Sequence, residues 1–200
     1  MTEPAPASPA VHTSSRQGLA DSVLGTRNLM TVAALSVVGM VLLIPLNYTS
    51  GPLAATPGGI VIGCAIMGLW VIPYLLPAAV VRRPGAATIA AFIMGIISVF
   101  TTPAGPTAIV GNLIGGLFIE VPLAVMLYRF WTWWSLAIAA AVFGLLNGIM
   151  YLTSIAAVAG FSVTPLVVPL ATVSALAGAG ITILLTRLLN RAGIAVDHHG

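Results

Sequence analysis

Polar residues are few along this chain, and between them run six apolar stretches, at residues 29–48, 55–81, 86–100, 107–128, 133–158 and 165–188. A bilayer core of ~30 Å needs ~20 helical residues to cross it. Four stretches meet that length directly. The stretch 55–81 is overlong, and Pro73 and Pro77 inside it predict a kink or break there. The stretch 86–100 is short and gains Thr101 and Thr102 before Pro103 stops it. Every arginine then falls on one side of the membrane. With Arg16 and Arg27 inside, successive crossings return Arg82 and Arg83, Arg129, and Arg187 and Arg191 to the same face, which the positive-inside rule makes cytoplasmic. The reading is an all-α integral membrane protein with six transmembrane helices and both termini cytoplasmic. A seven-span alternative divides 55–81 around residues 68–70 and spoils the arginine register.

Composition agrees. Hydrophobic residues make up 59% and charged residues 6%, with a mean hydropathy of +1.10, whereas a soluble domain is typically ~25% charged. The calculated pI of 9.6 reports loop arginines facing an anionic leaflet rather than affinity for nucleic acid. The domain reading is a disordered cytoplasmic tail at 1–28, a six-helix membrane domain at 29–191 and a second cytoplasmic tail at 192–200. No signal-peptide core is present in the first segment. Cys64 is the only cysteine, which excludes disulfides within the chain and cysteine-based zinc sites. His12, His198 and His199 lie in the tails, so no histidine is available inside the membrane. No metal site and no cofactor are expected.

Glu120 is the only ionisable side chain in the interior of a predicted span. At ~1.5 Å per residue it lies roughly 12 Å from the cytoplasmic end at Tyr128, near the midplane, where a charge costs ~3 kcal/mol on insertion scales. No lysine exists in the chain to pair with it. It is therefore a candidate ligand-facing residue, with a neutral or water-linked structural glutamate as the alternative. Asn112, Gly116 and Glu120 follow at i, i+4 and i+8, placing two polar groups around a residue without a side chain on one helix face. That face reads as a binding slot or as ordinary packing, and Gly111 and Gly115 form a GxxxG pair on which another helix can pack closely.

Aromatic residues add to the picture. Trp131, Trp133 and Trp134 sit beside Arg129 as an interfacial belt. Trp70 lies mid-span with Tyr74 one turn on, and its indole N–H needs a partner. Asn147 and Tyr151 make a similar i, i+4 pair beside Gly144 and Gly148. Each pair alone reads as core packing, but the sets together favour a shared polar cavity. Two segments on the predicted outer face, 47–57 and 101–106, are rich in proline and glycine and read as lids or as plain connectors.

Catalysis is poorly supported. Without lysine there is no Walker A phosphate loop, and there is no carboxylate cluster or serine with a buried histidine. The residues alone point to a small-molecule binder. A stand-alone permease and a membrane-embedded enzyme remain as alternatives.

The segment from Gly68 to Glu120 carries a resemblance. Gly68-Leu69-Trp70, Arg82-Arg83-Pro84-Gly85-Ala86-Ala87, Pro103-Ala104-Gly105-Pro106 and Gly116-Leu117 with Glu120 resemble the YkoE-type substrate-binding S components of energy-coupling-factor (ECF) vitamin transporters. The resemblance implies a six-helix S-component bundle in the bacterial cytoplasmic membrane, binding thiamine or its hydroxymethylpyrimidine precursor. It also implies partners: a transmembrane coupling protein and two ATPase subunits that drive uptake. The family pattern places acidic residues on the helix after the Pro-Gly-Ala-Ala turn, where this chain has Ala91 and Ser98. Glu120 is then left to meet a cationic ring, with Trp70, Tyr74 and Tyr151 stacking on it, Asn112 and Asn147 along its polar rim and Gly116 as the slot between Asn112 and Glu120.

Overall fold

The computed structural model describes residues 25–155 and 164–193. Most of the 1–28 segment, residues 156–158 of the fifth stretch, most of the 160–164 connection and the three histidines lie outside the described residues.

All the regular structure among the described residues is helical: α1 Gly25–Ala54, α2 Pro57–Ala65, α3 Met67–Val81, α4 Ala86–Thr101, α5 Thr107–Val125, α6 Trp133–Met150 continued by a π-turn Tyr151–Ile155, and α7 Val167–Arg191. With α2 and α3 taken together as 25 residues, five helices are long and apolar enough to cross a bilayer, and α4, at 16 residues, is shorter. The exteriors of the helices are as apolar as the interior. Val37, Val41, Phe92, Ile96, Ile114, Leu117 and Val121 are all exposed, as expected where lipid, not water, surrounds the waist of a bundle.

α3 is the central helix. From Met67 to Val81 only Leu69 and Trp70 are not buried, and α1, α4, α6 and α7 all contact it. Small residues set the approach of its neighbours. A Cβ on Gly39 of α1 would lie 2.9 Å from the Pro73 Cβ, and one on Gly68 would run into the Ser174 carbonyl oxygen of α7. Packed hydroxyls bond back to their own helix, as Ser36 does to the Val32 carbonyl and Thr182 to the Gly178 carbonyl, so they enter the core without unpaired polarity.

Four expectations need correction. The long second stretch is interrupted at Ile66 and not at Pro73 or Pro77, both of which lie inside a continuous α3. The cause is α7. The Ser174 hydroxyl donates to the Ala65 carbonyl at 2.6 Å and accepts from the Gly68 N–H at 2.9 Å, taking over bonds the helix would make to itself. The segment 47–57 is also not an open loop, since α1 stays helical to Ala54 through Pro45 and Pro52. There Thr49 and Ser50 donate to main-chain carbonyls of Leu46 and Asn47. At the other end α1 begins at Gly25, inside the segment assigned to the tail. Finally, α5 ends at Val125 rather than running to Tyr128, because Leu127 and Tyr128 take positive φ values of 55° and 53°.

With α2 and α3 taken as one span, successive spans run antiparallel. Leu35 of α1, Leu76 and Val80 of α3, and Leu185 and Leu189 of α7 pack together, and the turn before α4 meets the C-terminal part of α5. The described arginines therefore gather at one end of the bundle.

Candidate functional site

At the end away from the arginines lies a cavity of about 360 Å³, within the range of small-molecule sites. Each wall comes from a different helix. α3 supplies Met67, Trp70 and Tyr74, and α6 supplies Phe143, Asn147 and Tyr151. The mouth is built from Asn47 and Ser50 of α1 with Thr102 and Ala104 of the α4–α5 turn, so both segments read as candidate lids contribute to it. Among the described residues no charged side chain lines it.

Spacing explains the α3 and α6 walls. Trp70 and Tyr74 are one turn apart, as are Phe143, Asn147 and Tyr151, so each set shares a helix face. The π-turn begins at Tyr151, and such turns are frequent at functional sites. The α5 wall is made by absence. A Cβ added to Gly111 would meet nothing within 4 Å, whereas one on Gly115 would come within 3.1 Å of the Tyr74 ring. The Tyr74 and Phe143 rings lie 5.9 Å apart.

Along one wall of the cavity runs a buried polar chain that includes Tyr74 and Asn112. The Tyr74 hydroxyl donates to Asn112 Oδ1 at 2.9 Å, and Asn112 Nδ2 donates to the Ala108 carbonyl at 2.8 Å and to Ser98 Oγ at 3.4 Å. Ser98 in turn contacts the Met40 sulfur at 3.8 Å. Ser98, standing where the resemblance expects an acid, thus belongs to this support. Asn147 Nδ2 bonds the Phe143 carbonyl at 2.9 Å.

Of the candidate residues, the structure brings together Trp70, Tyr74, Asn112, Asn147 and Tyr151 around this cavity. It does not bring Glu120 or Gly116 there. Glu120 is buried at the arginine end of the bundle, away from the cavity. Its carboxylate accepts from Gly85 N at 2.7 Å, Ala87 N at 3.0 Å and Thr88 N at 3.2 Å, and from the Tyr128 hydroxyl at 2.7 Å. It closes the otherwise unpaired N–H groups at the start of α4, where the residue preceding the helix, Gly85, has no side chain to cap them. Burial, and next the bond to Glu120, push the Tyr128 hydroxyl above the usual tyrosine range, so it keeps its proton and donates. Tyr128 also stacks on Trp131, with centroids 6.1 Å apart, which gives one belt tryptophan a packing role.

Gly116 and Gly115 exchange the roles expected of them. A Cβ on Gly116 would collide with Ala91, so it is Gly116 that lets α4 and α5 touch, while Gly115 makes room for Tyr74. The slot inferred from Asn112, Gly116 and Glu120 is a helix contact along its length. Asn112 reaches the cavity from its edge.

Among the lining residues that sequence reasoning missed are Met67 and Phe143. Phase was the available signal: Phe143 lies one turn before Asn147, and Met67 one turn before Val71 and next to Gly68. Apolar residues at those positions are indistinguishable from lipid-facing ones without a partner helix.

Comparison with known proteins adds a family and a fold. A family model described as "ABC-type cobalt transport system, permease component" matches residues 27–146. No curated protein matches the chain. A solved structure titled "Crystal structure of an S-component of ECF transporter" is similar at 21% identity and a TM-score of 0.67, covering 84% of each chain.

Proposed function

We propose, starting from the fact that this chain belongs to the family of ABC-type cobalt transport system permease components, that it is the substrate-binding S subunit of an ATP-driven ECF-type importer. It is a multi-pass protein of the cell membrane with an S-component-like all-α fold. In this reading α4 is a sixth span, both termini are cytoplasmic, and the arginine end faces the cytoplasm. A transmembrane coupling protein and ATPase subunits supply the energy that a chain without a lysine for a phosphate loop does not.

The observation that carries the reading is the cavity itself: about 360 Å³, at the end opposite the arginines, lined by aromatic rings and neutral amides and hydroxyls. Such a lining suits a flat, uncharged heterocycle gripped by Trp70, Tyr74 and Tyr151, with Asn147 on its polar edge. Between the two ligands that the resemblance implies, the uncharged hydroxymethylpyrimidine fits better than thiamine, a permanent cation for which the described lining offers no carboxylate. Trp70, Tyr74, Asn147 and Tyr151 are the proposed binding residues, with Asn112 behind Tyr74. Glu120 is proposed to hold the α4–α5 hairpin.

The family description favours a second reading, in which the cargo is a cobalt ion. First-row divalent cations bind imidazole, thiolate or carboxylate groups, and none of these is among the described residues of the cavity lining. Nor, among the described residues, does any group of three or more such side chains gather elsewhere. Native mass spectrometry of gently purified protein, followed by calorimetry with hydroxymethylpyrimidine, thiamine and Co²⁺, separates the readings. Micromolar or tighter binding of the pyrimidine with none of Co²⁺ is expected, and the reverse result overturns the proposal.

A further inference from the structure

The hydrogen-bond chain along the cavity wall has a direction, and the direction is fixed at its far end. A main-chain carbonyl can only accept, so the Asn112 atom 2.8 Å from the Ala108 oxygen is the amide nitrogen. The other amide atom is then the oxygen, and it is the one that faces the Tyr74 hydroxyl at 2.9 Å. An amide oxygen also can only accept. The single hydrogen of Tyr74 is therefore committed to Asn112. The nitrogen's remaining hydrogen is spent as well, on Ser98 Oγ at 3.4 Å. The tyrosine ring is held in place as well: it lies against Gly115, where even a methyl group would come within 3.1 Å, and beside Phe143 at 5.9 Å.

From this we infer that Tyr74 meets the ligand as an obligate hydrogen-bond acceptor, and that Asn112, fixed by Ala108 and Ser98, is the positioning residue that makes it so. The inference rests on the cavity being the ligand site. The tyrosine oxygen sits between Asn112 and Gly115, both of which line the cavity, and its lone pairs are what remains for a bound molecule. A ligand edge that carries an N–H or O–H there is received. One that presents only an acceptor leaves two oxygens opposed, and one that presents neither gains no hydrogen bond there. Asn147 provides the contrast. Its amide spends one hydrogen on the Phe143 carbonyl and keeps, among the described residues, a second hydrogen and its oxygen, so it accepts and donates as the ligand requires. The site therefore selects on the Tyr74 side and adapts on the Asn147 side. The substrate class is a neutral heterocycle with a donor, such as an exocyclic amino group, directed at α5. A site built around a hydrogen bond rejects an analogue lacking the partner far more strongly than a pocket rejects a missing methylene.

The test uses the full chain in detergent or nanodiscs and two probes, 4-amino-5-hydroxymethyl-2-methylpyrimidine and its counterpart with a 4-methoxy group, which accepts but cannot donate, in place of the amino group. Wild type should bind the amino probe at least about tenfold more tightly. Tyr74→Phe should bring the two probes within about threefold of each other. Asn112→Ala should collapse the preference too, although the tyrosine remains, because its hydrogen is then free to turn toward either probe; a purely structural role would weaken both probes equally. A ligand-free measurement runs beside these. The phenol C–O stretch of isotope-labelled tyrosine, isolated as the wild type minus Tyr74→Phe infrared difference, should lie where donating hydroxyls absorb and should shift in Asn112→Ala. Equal binding of the probes by wild type, a preference surviving in Tyr74→Phe, or a C–O band typical of a hydroxyl that only accepts would each overturn the inference. Should wild type bind neither probe, the pyrimidine reading falls, and the infrared band alone decides the polarity of Tyr74.

Discussion

Glu120→Gln separates a structural carboxylate from a ligand-binding one. The carboxylate serves four donors on two oxygens: three main-chain N–H groups of the turn into α4, and the Tyr128 hydroxyl. Glutamine is nearly the same size but keeps one acceptor oxygen. If that oxygen retains Gly85 N and Tyr128, both within 2.7 Å of Oε1, the new NH₂ group faces the N–H groups of Ala87 and Thr88, donor against donor. Two hydrogen bonds to a charged group are lost, at ~1.5–3 kcal/mol each, together with the favourable placing of a negative charge at a helix N-terminus, ~0.3–1 kcal/mol. Thr88 N is only part-buried and can bond water instead, which restores about one of the two bonds and leaves a destabilisation of about 2–4 kcal/mol. At ~2–4 °C per kcal/mol for a chain of this size, the melting temperature should fall by roughly 5–15 °C. Ligand affinity of the folded protein should change by less than about twofold, since the carboxylate does not line the cavity. Scanning fluorimetry in detergent gives the first quantity and calorimetry at a temperature where the variant is folded gives the second. A variant that melts with wild type yet binds ten times more weakly refutes this reasoning and returns Glu120 to the ligand.

Three further outcomes follow from the packing. Gly68→Ala should prevent stable folding, because its methyl group would strike the Ser174 carbonyl and come within 3.1 Å of Gly178 N, whereas Gly111→Ala, with open space around it, should fold normally and lower affinity by narrowing the cavity; detergent gel filtration and calorimetry distinguish them. Ser174→Ala removes the hydroxyl that bridges the break at Ile66, so the melting temperature should drop by an amount corresponding to ~1–3 kcal/mol for the groups left unpaired, and Ser174→Thr should restore part of it. Cysteine-accessibility labelling in a Cys64→Ala background should place positions 83, 129 and 187 on the cytoplasmic side and position 104 outside; labelling of 83 and 129 from opposite sides would refute the six-span reading.

Properties that depend on solvent, and on phase along one helix, were legible in the order of residues. Lipid as the surrounding medium follows from composition, the arginine-bearing turns follow from the distribution of charge, and the pairs Trp70 with Tyr74 and Asn147 with Tyr151 follow from a period of 3.6 residues. All four of these aromatic and amide side chains line the cavity. Anything that needs a second helix waited for the fold. Gly115 and Gly116 are adjacent and chemically identical, and their roles differ because Tyr74 stands against one and Ala91 against the other. Ile66, not a proline, interrupts the second stretch because a serine more than a hundred residues away takes over its backbone bonds. Counting residues back from Tyr128 put Glu120 in the middle of the membrane, since a count along one helix says nothing of where that helix ends or of which turn packs against the acid at the arginine end. In the bundle the α4 turn does so, and an acid that one helix leaves without a counter-charge is satisfied by the N–H groups of the next.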